Sequence, residues 1–273
     1  MKKTLISALY FSIIASTLTI SSCRKDNEDL DTTIGYEVGQ FESMTNDVDN
    51  MIGQVWQDNG TISQRLQQPQ SGSLLSGCAV VIHDTVANTI VIDFGNGCVG
   101  LDGRTRAGII NVSYTGPYFQ SGSSHTITFD SFYVDTRKIE GTRQVINNGL
   151  NGNGNMNWTI IATNMKITRT DGYWRSWNST RNREMTQGLG DNTWANDVYR
   201  INGTASGSNS NGNSYSMNIS NVVRDNSCYW ITAGTIEITP ANLRTRTLDF
   251  GNGSCDDQAT VTVGNQTRNI SLR

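Results

Sequence analysis

Two copies of one short stretch, DFGNGCVG (93–100) and DFGNGSCD (249–256), decide the fold class of this chain. Each copy combines Asn-Gly and Gly-Asn pairs, which accept the positive backbone φ of tight turns, with a cysteine close behind. Strand-like residues rich in Val, Ile and Thr lead into each copy. The repeat therefore predicts two β-hairpins, each of which returns a cysteine to a partner.

The N-terminus identifies an exported chain. Lys2 and Lys3 precede an apolar run from Leu5 to Ile20, and the run ends in small residues. This pattern predicts a lipoprotein signal peptide over residues 1–22, because the run is short and lacks the basic flank of a membrane-spanning stop-transfer segment. The tetrad ISSC (20–23) resembles the bacterial lipobox, which implies diacylglyceryl transfer to Cys23 and tethering without a membrane span.

The segment after Cys23 is polar and acidic. Residues 24–58 hold two basic and nine acidic side chains, net −7, and we interpret this charge as solvation of a linker. We predict an acidic disordered tether over residues 23–37. The stretch CRKDNED (23–29) resembles the surface-export signal of Bacteroidota lipoproteins, which implies an outer-membrane location facing the cell exterior.

Four cysteines remain once Cys23 is set aside, and four cysteines allow three pairings in an oxidising compartment. Hairpin symmetry selects one pairing, because the midpoint between Cys78 and Cys98 is residue 88, at the end of the turn DTVAN, and that between Cys228 and Cys255 is 241.5, inside the turn Pro240-Ala241-Asn242. Opposed antiparallel residues lie close enough for a disulfide. The predicted disulfides are Cys78–Cys98 and Cys228–Cys255.

The rest of the chain predicts a mainly β fold. Apolar residues at intervals of three and four between Phe41 and Trp56 predict one amphipathic helix at about 41–57, packed on a sheet. From Cys78 onward, alternating segments bounded by Gly, Asn, Ser and Asp predict a long antiparallel meander, as a curved sheet, a sandwich or a half-barrel. We expect a single domain over residues 38–273.

No catalytic or cofactor-binding constellation is visible in the sequence. His83 and His125 are the only histidines, and neither has ligands at metal-binding spacing. The chain lacks a nucleophile elbow, a phosphate loop and a basic nucleic-acid stripe, so we predict no enzyme, no cofactor and no nucleic-acid partner. A weaker alternative to the structural turn is a calcium site at Asp249, Asn252, Asp256 and Asp257.

One segment, GYWRSWNSTRNRE (172–184), has the composition of a binding surface. Aromatic rings could stack on sugars and guanidinium groups could pair with anions. The alternative, which we favour, is that these side chains only shield the outer face of a sheet. Read as a strand, the segment places the predicted ligand face at Tyr173, Arg175, Trp177, Arg181 and Arg183.

Further motifs, among them GLDGRTRAG, KIEGTRQV, WNSTRNRE and DVYRINGTASG, together with the lipobox and the DFGNGC repeats, resemble a recurrent group of uncharacterised Bacteroidota lipoproteins. The resemblance spans most of residues 40–273. It implies a membrane address and a mainly β fold, and it brings no activity and no catalytic residues. Asp84-Thr85-Val86 also fits the O-glycosylation pattern of exported Bacteroidota proteins, with Thr85 as the acceptor.

These observations favour a lipid-anchored protein of the outer membrane with a binding or structural role. Its partners would be the membrane, through the anchor, and a glycan or a surface protein. Three alternatives stay open: a glycan-binding accessory protein, a periplasm-facing carrier of an apolar ligand, and a glycoside hydrolase whose carboxylate pair the sequence does not reveal.

Lipidation gives the first testable prediction. Changing Cys23→Ala removes the acyl acceptor, so we expect uncleaved or soluble protein in place of membrane-bound material. Fractionation and labelling with a palmitate analogue check this outcome. A Cys23→Ala variant that still labels and sediments with membranes would contradict the lipobox interpretation.

Overall fold

The structure is a computed structural model that describes residues 31–57, 64–65, 74–75, 77–191 and 193–272. The predicted signal peptide 1–22, the lipidation site Cys23 and tether residues 24–30 lie outside the described residues. One long helix, α1 (Thr33–Gln57), precedes the strands, and a short 3₁₀ helix, Trp194–Asn196, lies between two of them. The strands are β1 (Gln64–Arg65), β2 (Val80–Asp84), β3 (Thr89–Asp93), β4 (Cys98–Val99), β5 (Thr105–Tyr114), β6 (Ser124–Val134), β7 (Arg137–Leu150), β8 (Met156–Thr168), β9 (Trp174–Gln187), β10 (Val198–Asn209), β11 (Ser214–Asp225), β12 (Ile231–Pro240), β13 (Arg246–Asn252), β14 (Gln258–Val263) and β15 (Gln266–Ser271).

All strands in the described ranges belong to one antiparallel sheet. Each strand pairs with the next along the chain, except that β3 pairs with β5 and the two-residue β4 pairs with β5 beside it. The path runs from β1 at one edge to β15 at the other. The predicted mainly β meander is confirmed, and its form is a single open sheet rather than a sandwich.

Bulges bend the strands at recurrent positions. In β7 the register shifts around Gly141, where a Cβ would lie 2.6 Å from the Cα of Met165 across the strand pair. In β12 it shifts around Gly234, where a Cβ would lie 2.3 Å from the carbonyl oxygen of Asn221. Both glycines have positive φ, and bulges of this kind increase local twist and bend the sheet.

The sheet curves around α1. Gly35 lies against Val261 of β14 so closely that a Cβ would be 2.6 Å from its Cγ2 atom. Near the middle of the sheet, the ring of Phe41 stacks on that of Trp177 in β9, with centroids 6.1 Å apart. Helix residues 34–55 are buried on every side, except for Tyr36. The helix is therefore the centre of the hydrophobic core and not a cover on one face.

The predicted boundaries of the tether and the helix are wrong at one end. The helix begins at Thr33, so residues 33–37 of the expected disordered tether are helical. Glu37, which we expected in a solvated linker, is only 4 % exposed. Side chains of the sheet supply partners for this polar segment, and such tertiary contacts override weak local propensity.

Both predicted disulfides are confirmed, and the two copies of the repeated motif share one turn hydrogen bond. The Cα atoms are 5.6 Å apart in Cys78–Cys98 and in Cys228–Cys255. Asp93 accepts a hydrogen bond from the amide of Gly95, and Asp249 accepts one from that of Gly251, at 2.7 and 2.8 Å. Each motif is thus an aspartate-capped turn that returns a cysteine to its partner.

We call the curved sheet around α1 the shell. Aromatic rings fill the end of the shell near the C-terminus of the helix. Trp56 packs against His83, Tyr114 and His125, with ring centroids 4.8 to 5.6 Å apart. Nε2 of His83 lies 2.8 Å from the hydroxyl of Tyr114. His125 is 1 % exposed, and its burial, aided by the charge of His83, lowers its pKa to about 4.

A pH dependence of stability follows from His125. Because the unfolded chain protonates this histidine near pH 6.5 and the folded chain near pH 4, its contribution is complete above pH 6.5. It declines as the pH falls toward 4, by at most about 1.4 kcal/mol per pH unit. We expect His125→Phe to remove this decline, measured as the free energy of urea unfolding between pH 7 and 4.5.

Asp197 requires a control in that experiment, since burial raises its pKa to about 6 and its contribution has the opposite sign. Both chains should therefore carry Asp197→Asn. If the His125→Phe chain and its parent lose equal stability over this pH range, the histidine does not titrate as described.

Candidate functional site

The predicted ligand face lies inside the shell. Arg175, Trp177, Arg181 and Arg183 do share one face of β9, as the sequence predicted, and each is at most 5 % exposed. Tyr173 lies in the preceding turn and is half-buried. The expectation of an exposed ligand face is wrong, and so is the alternative of an outer shield, because this face packs on α1.

Carboxylates of the helix pair with the β9 arginines. Both nitrogens at the tip of the Arg181 guanidinium group donate to Glu42, at 2.5 and 2.7 Å. Arg175 donates through Nε to Glu37. Arg183 donates to the side-chain oxygen of Asn50 at 2.6 Å, and its guanidinium carbon lies 3.6 Å from the ring centroid of Tyr199. These guanidinium groups are therefore occupied within the fold.

The same pattern continues on other strands and on the segment just before β5. Asp47 of α1 accepts hydrogen bonds from Arg104 and Arg106 at 2.9 and 3.0 Å, and Arg224 of β11 lies 3.5 Å away. Asp49 pairs with Arg143 of β7 at 2.5 Å. We call this set of buried ion pairs the helix–sheet lattice: Glu37, Glu42, Asp47 and Asp49 with Arg104, Arg106, Arg143, Arg175, Arg181 and Arg224. The interpretation of these four acids as linker solvation is wrong.

Removing one member of the lattice should be costly. We expect Arg181→Met to destabilise the fold by about 3–5 kcal/mol, because it leaves the Glu42 carboxylate buried without its cation. Combining Arg181→Met with Glu42→Leu should recover most of this loss, since a buried ion pair and an apolar pair of similar volume have comparable stability. Urea unfolding of the single and double variants measures both effects.

A double variant no more stable than Arg181→Met alone would contradict this pairing. The outward-facing change Thr180→Val, one residue away on the same strand, serves as the matched control and should leave stability within about 0.5 kcal/mol.

The opposite face of β9 is the exposed one, and it carries a different set of side chains. Side chains alternate between the two faces of a strand, so the residues between the buried arginines point outward. Trp174, Ser176, Asn178 and Thr180 form this outward row, and none of them is buried. Their neighbours across β10 include Thr204 opposite Thr180 and Ser206 opposite Asn178. The outer surface here is uncharged and polar, with one aromatic ring at its end.

A bulge in β8 deepens this surface into a groove. Asn164 has a φ of 49°, the register between β8 and β9 shifts between Ala162 and Met165, and the Asn164 amide donates to the side-chain oxygen of Asn178 at 2.8 Å. Two shallow depressions that share Asn178, of about 350 and 280 Å³, lie beside this shift. We call them together the β9 groove: Ile161, Thr163, Asn164, Lys166, Trp174, Ser176, Asn178, Thr180, Thr204 and Ser206.

The β9 groove is nearly neutral. Its one charged group, the Lys166 ammonium, lies 3.9 Å from a carboxylate oxygen of Glu140 and 5.6 Å from the ring centroid of Trp174. Hydroxyl and amide groups both donate and accept hydrogen bonds, and an indole ring offers an apolar face for stacking. This combination suits a polyhydroxylated, uncharged ligand better than an anion.

The predicted calcium residues lie in one stretch of the chain, and each of their carboxylates accepts a hydrogen bond from another group of the protein. Asp249, Asn252 and Asp256 line an open cleft of about 540 Å³ beside the second disulfide. The Asp256 carboxylate accepts from the amide of Gln258 at 2.9 Å, and Asp257 accepts from the hydroxyl of Ser271 at 2.9 Å. Within the described part of the chain, no three His, Cys, Asp or Glu side chains are grouped as a metal ion requires.

The other predicted positions fall in separate regions. Thr85 lies exposed at the tip of the β2–β3 hairpin, where modification stays a prediction. His83 and His125 belong to the aromatic cluster around Trp56. The helix occupies the space inside the sheet that a carrier of an apolar ligand would need. None of the helices in the described ranges is both long and apolar enough to cross a bilayer.

Sequence reasoning missed the β9 groove although it identified the strand. A strand pattern shows that two faces exist without showing which face is inside, and arginine is seldom buried in proteins. The signal that could have found the groove was the uncharged series on the alternate positions of the same segment.

Comparison of the chain with protein-family models, with curated proteins and with solved structures gave no significant match.

Proposed function

We propose that this protein is a lipid-anchored protein of the outer membrane that binds glycans along the β9 groove. The observation that carries the proposal is the outward row of β9, in which an indole ring is followed by a hydroxyl, an amide and a second hydroxyl at alternate positions. At about 3.3 Å per residue, Trp174 and Thr180 are about 20 Å apart along the strand, which is long enough for several sugar rings.

Three physical features support a glycan as the ligand. Trp174 offers a stacking surface for the apolar face of a sugar ring. Asn178 is held by the Asn164 amide, so its side chain is already oriented before a ligand arrives. The lattice on the inner face fixes β9 from behind, and a rigid strand reduces the entropy that binding must overcome.

The other functions considered from the sequence have less support. A carrier needs interior space, which α1 fills. A glycoside hydrolase needs two carboxyl groups facing one cleft. Asp249 and Asp256 do line a common cleft, but each carboxylate accepts a hydrogen bond from a backbone amide of its own turn.

A glycan screen with the detergent-solubilised full-length protein tests the proposal. We expect Trp174→Ala to weaken binding of a neutral oligosaccharide by about tenfold, since loss of aromatic stacking costs about 0.5–1.5 kcal/mol beyond the buried area. Binding constants from calorimetry, at constant melting temperature, provide the measurement.

Tyr133→Ala is the matched control. Tyr133 is an aromatic residue on β6, 37 % exposed and separated from the groove by β7, so its removal should not change binding. A ligand whose affinity is unchanged by Trp174→Ala binds elsewhere. If neutral glycans do not bind at all, the proposed ligand class is wrong.

A further inference from the structure

The two ends of the shell differ in their connection to the predicted anchor. At one end, which we call the helix-start end, a cleft is lined by Thr33 and Tyr36 of α1, by Thr136 and Arg137 where β7 begins, and by Arg169 and Thr170 of the β8–β9 turn. The turn after β10 lies beside them, because the Ser210 amide donates to the carbonyl of Trp174. The other end contains Trp56, Gln57 and the β9–β10 connection.

Chain length limits how far the helix-start end can lie from Cys23. Ten residue steps separate Cys23 from Thr33, so a fully extended chain spans at most about 35 Å. Strand β7 alone has 14 residues and is about 45 Å long. If Cys23 carries the acyl chains, the helix start is therefore held within about 35 Å of the bilayer, whereas the far end can lie a further strand length away.

Exposed side chains at the helix-start end suit a lipid surface. Leu243, in the β12–β13 turn, is 50 % exposed, and Tyr36 on the first turns of α1 is 36 % exposed. Arg268 of β15 is exposed near the same end, whereas the exposed Arg169 of the β8–β9 turn is paired with Asp171 at 2.8 Å. Aromatic, aliphatic and arginine side chains of this kind are typical of protein surfaces that rest on lipid headgroups.

At the helix-start end, the exposed acids Asp31, Asp135 and Asp171 are matched in number by the exposed arginines Arg169, Arg244 and Arg268. The far end is more acidic. Six carboxylates lie at or next to its turns, and several of them cap those turns through backbone amides. Anionic headgroups repel such a surface, and the repulsion acts within about one Debye length. The six are Asp84, Glu184, Asp191, Asp225, Asp256 and Asp257.

We infer that the helix-start end docks on the headgroups of the membrane that holds Cys23, with Leu243, Tyr36 and Arg268 in contact and the acidic end pointing away. The inference rests on the proposed lipid anchor and adds an orientation to it. In this orientation the β9 groove runs up the side wall of the shell from Trp174, near the membrane, toward Thr180. The β2–β3 hairpin, with Thr85, is displayed at the outer end.

Site-specific quenching tests the orientation. The full acylated protein is placed in vesicles of phosphatidylethanolamine and phosphatidylglycerol that contain a headgroup-linked nitroxide. A fluorophore is attached through Leu243→Cys in one sample and through Leu150→Cys in the other. Leu150 is the matched control, a 62 % exposed leucine at the far end of β7. We expect at least threefold stronger quenching at position 243.

A charge change tests the contact itself. Arg268→Glu should reduce quenching at position 243 at low salt, whereas Arg200→Glu, an exposed arginine near the far end, should not. Unchanged quenching in the Arg268→Glu protein would overturn the contact.

The two proposals fail in distinguishable ways. Mass spectrometry first establishes whether Cys23 is acylated. A chain without acyl groups overturns the anchor and, with it, the docking. An acylated chain with equal quenching at positions 243 and 150, or with stronger quenching at 150, overturns the orientation and leaves the anchor intact.

Discussion

The structure depends on ion pairs between α1 and the inner face of the sheet. Without the helix, the arginines on the inner face of the sheet could not be buried, because each unpaired guanidinium group would lose its hydration without compensation. The helix supplies Glu37, Glu42, Asp47 and Asp49 at positions that meet strands β5, β7, β9 and β11. Since neither part satisfies its charges alone, helix and sheet form one cooperative unit.

The lattice also explains why the two faces of the sheet differ so strongly. On the inner face of β9, Arg175 and Arg181 pair with helix carboxylates and Arg183 donates to Asn50. The outer face around β9 carries hydroxyl and amide groups. Arg181 faces Glu42, while Thr180 next to it faces solvent. The disulfides do not join helix and sheet. They fix the hairpins β2–β3 and β12–β13, which lie toward the open edges of the sheet.

Local features of this fold could be predicted from the sequence, and long-range features could not. Turn chemistry and symmetry determined both cysteine pairs, because each pair closes within a single hairpin and its return loop. The pairing of Glu42 with Arg181 spans 139 residues and leaves no periodic signal. The same lack of a long-range signal explains why the ligand face was predicted on the wrong side of β9. The segment was recognised as a strand, but only the position of α1 determines that Arg181 points inward and Asn178 outward.

Native-state hydrogen exchange tests the central claim, that helix and sheet are one unit, most directly. If the lattice joins them, the amides of α1 between Glu42 and Asn50 exchange only through global unfolding. Their opening free energy then equals that of the amides of β8 and β9, and both decrease with the same slope as denaturant is added. An opening free energy for the helix several kcal/mol below that of the strands would contradict the account, because α1 would then leave a sheet that stays folded without it.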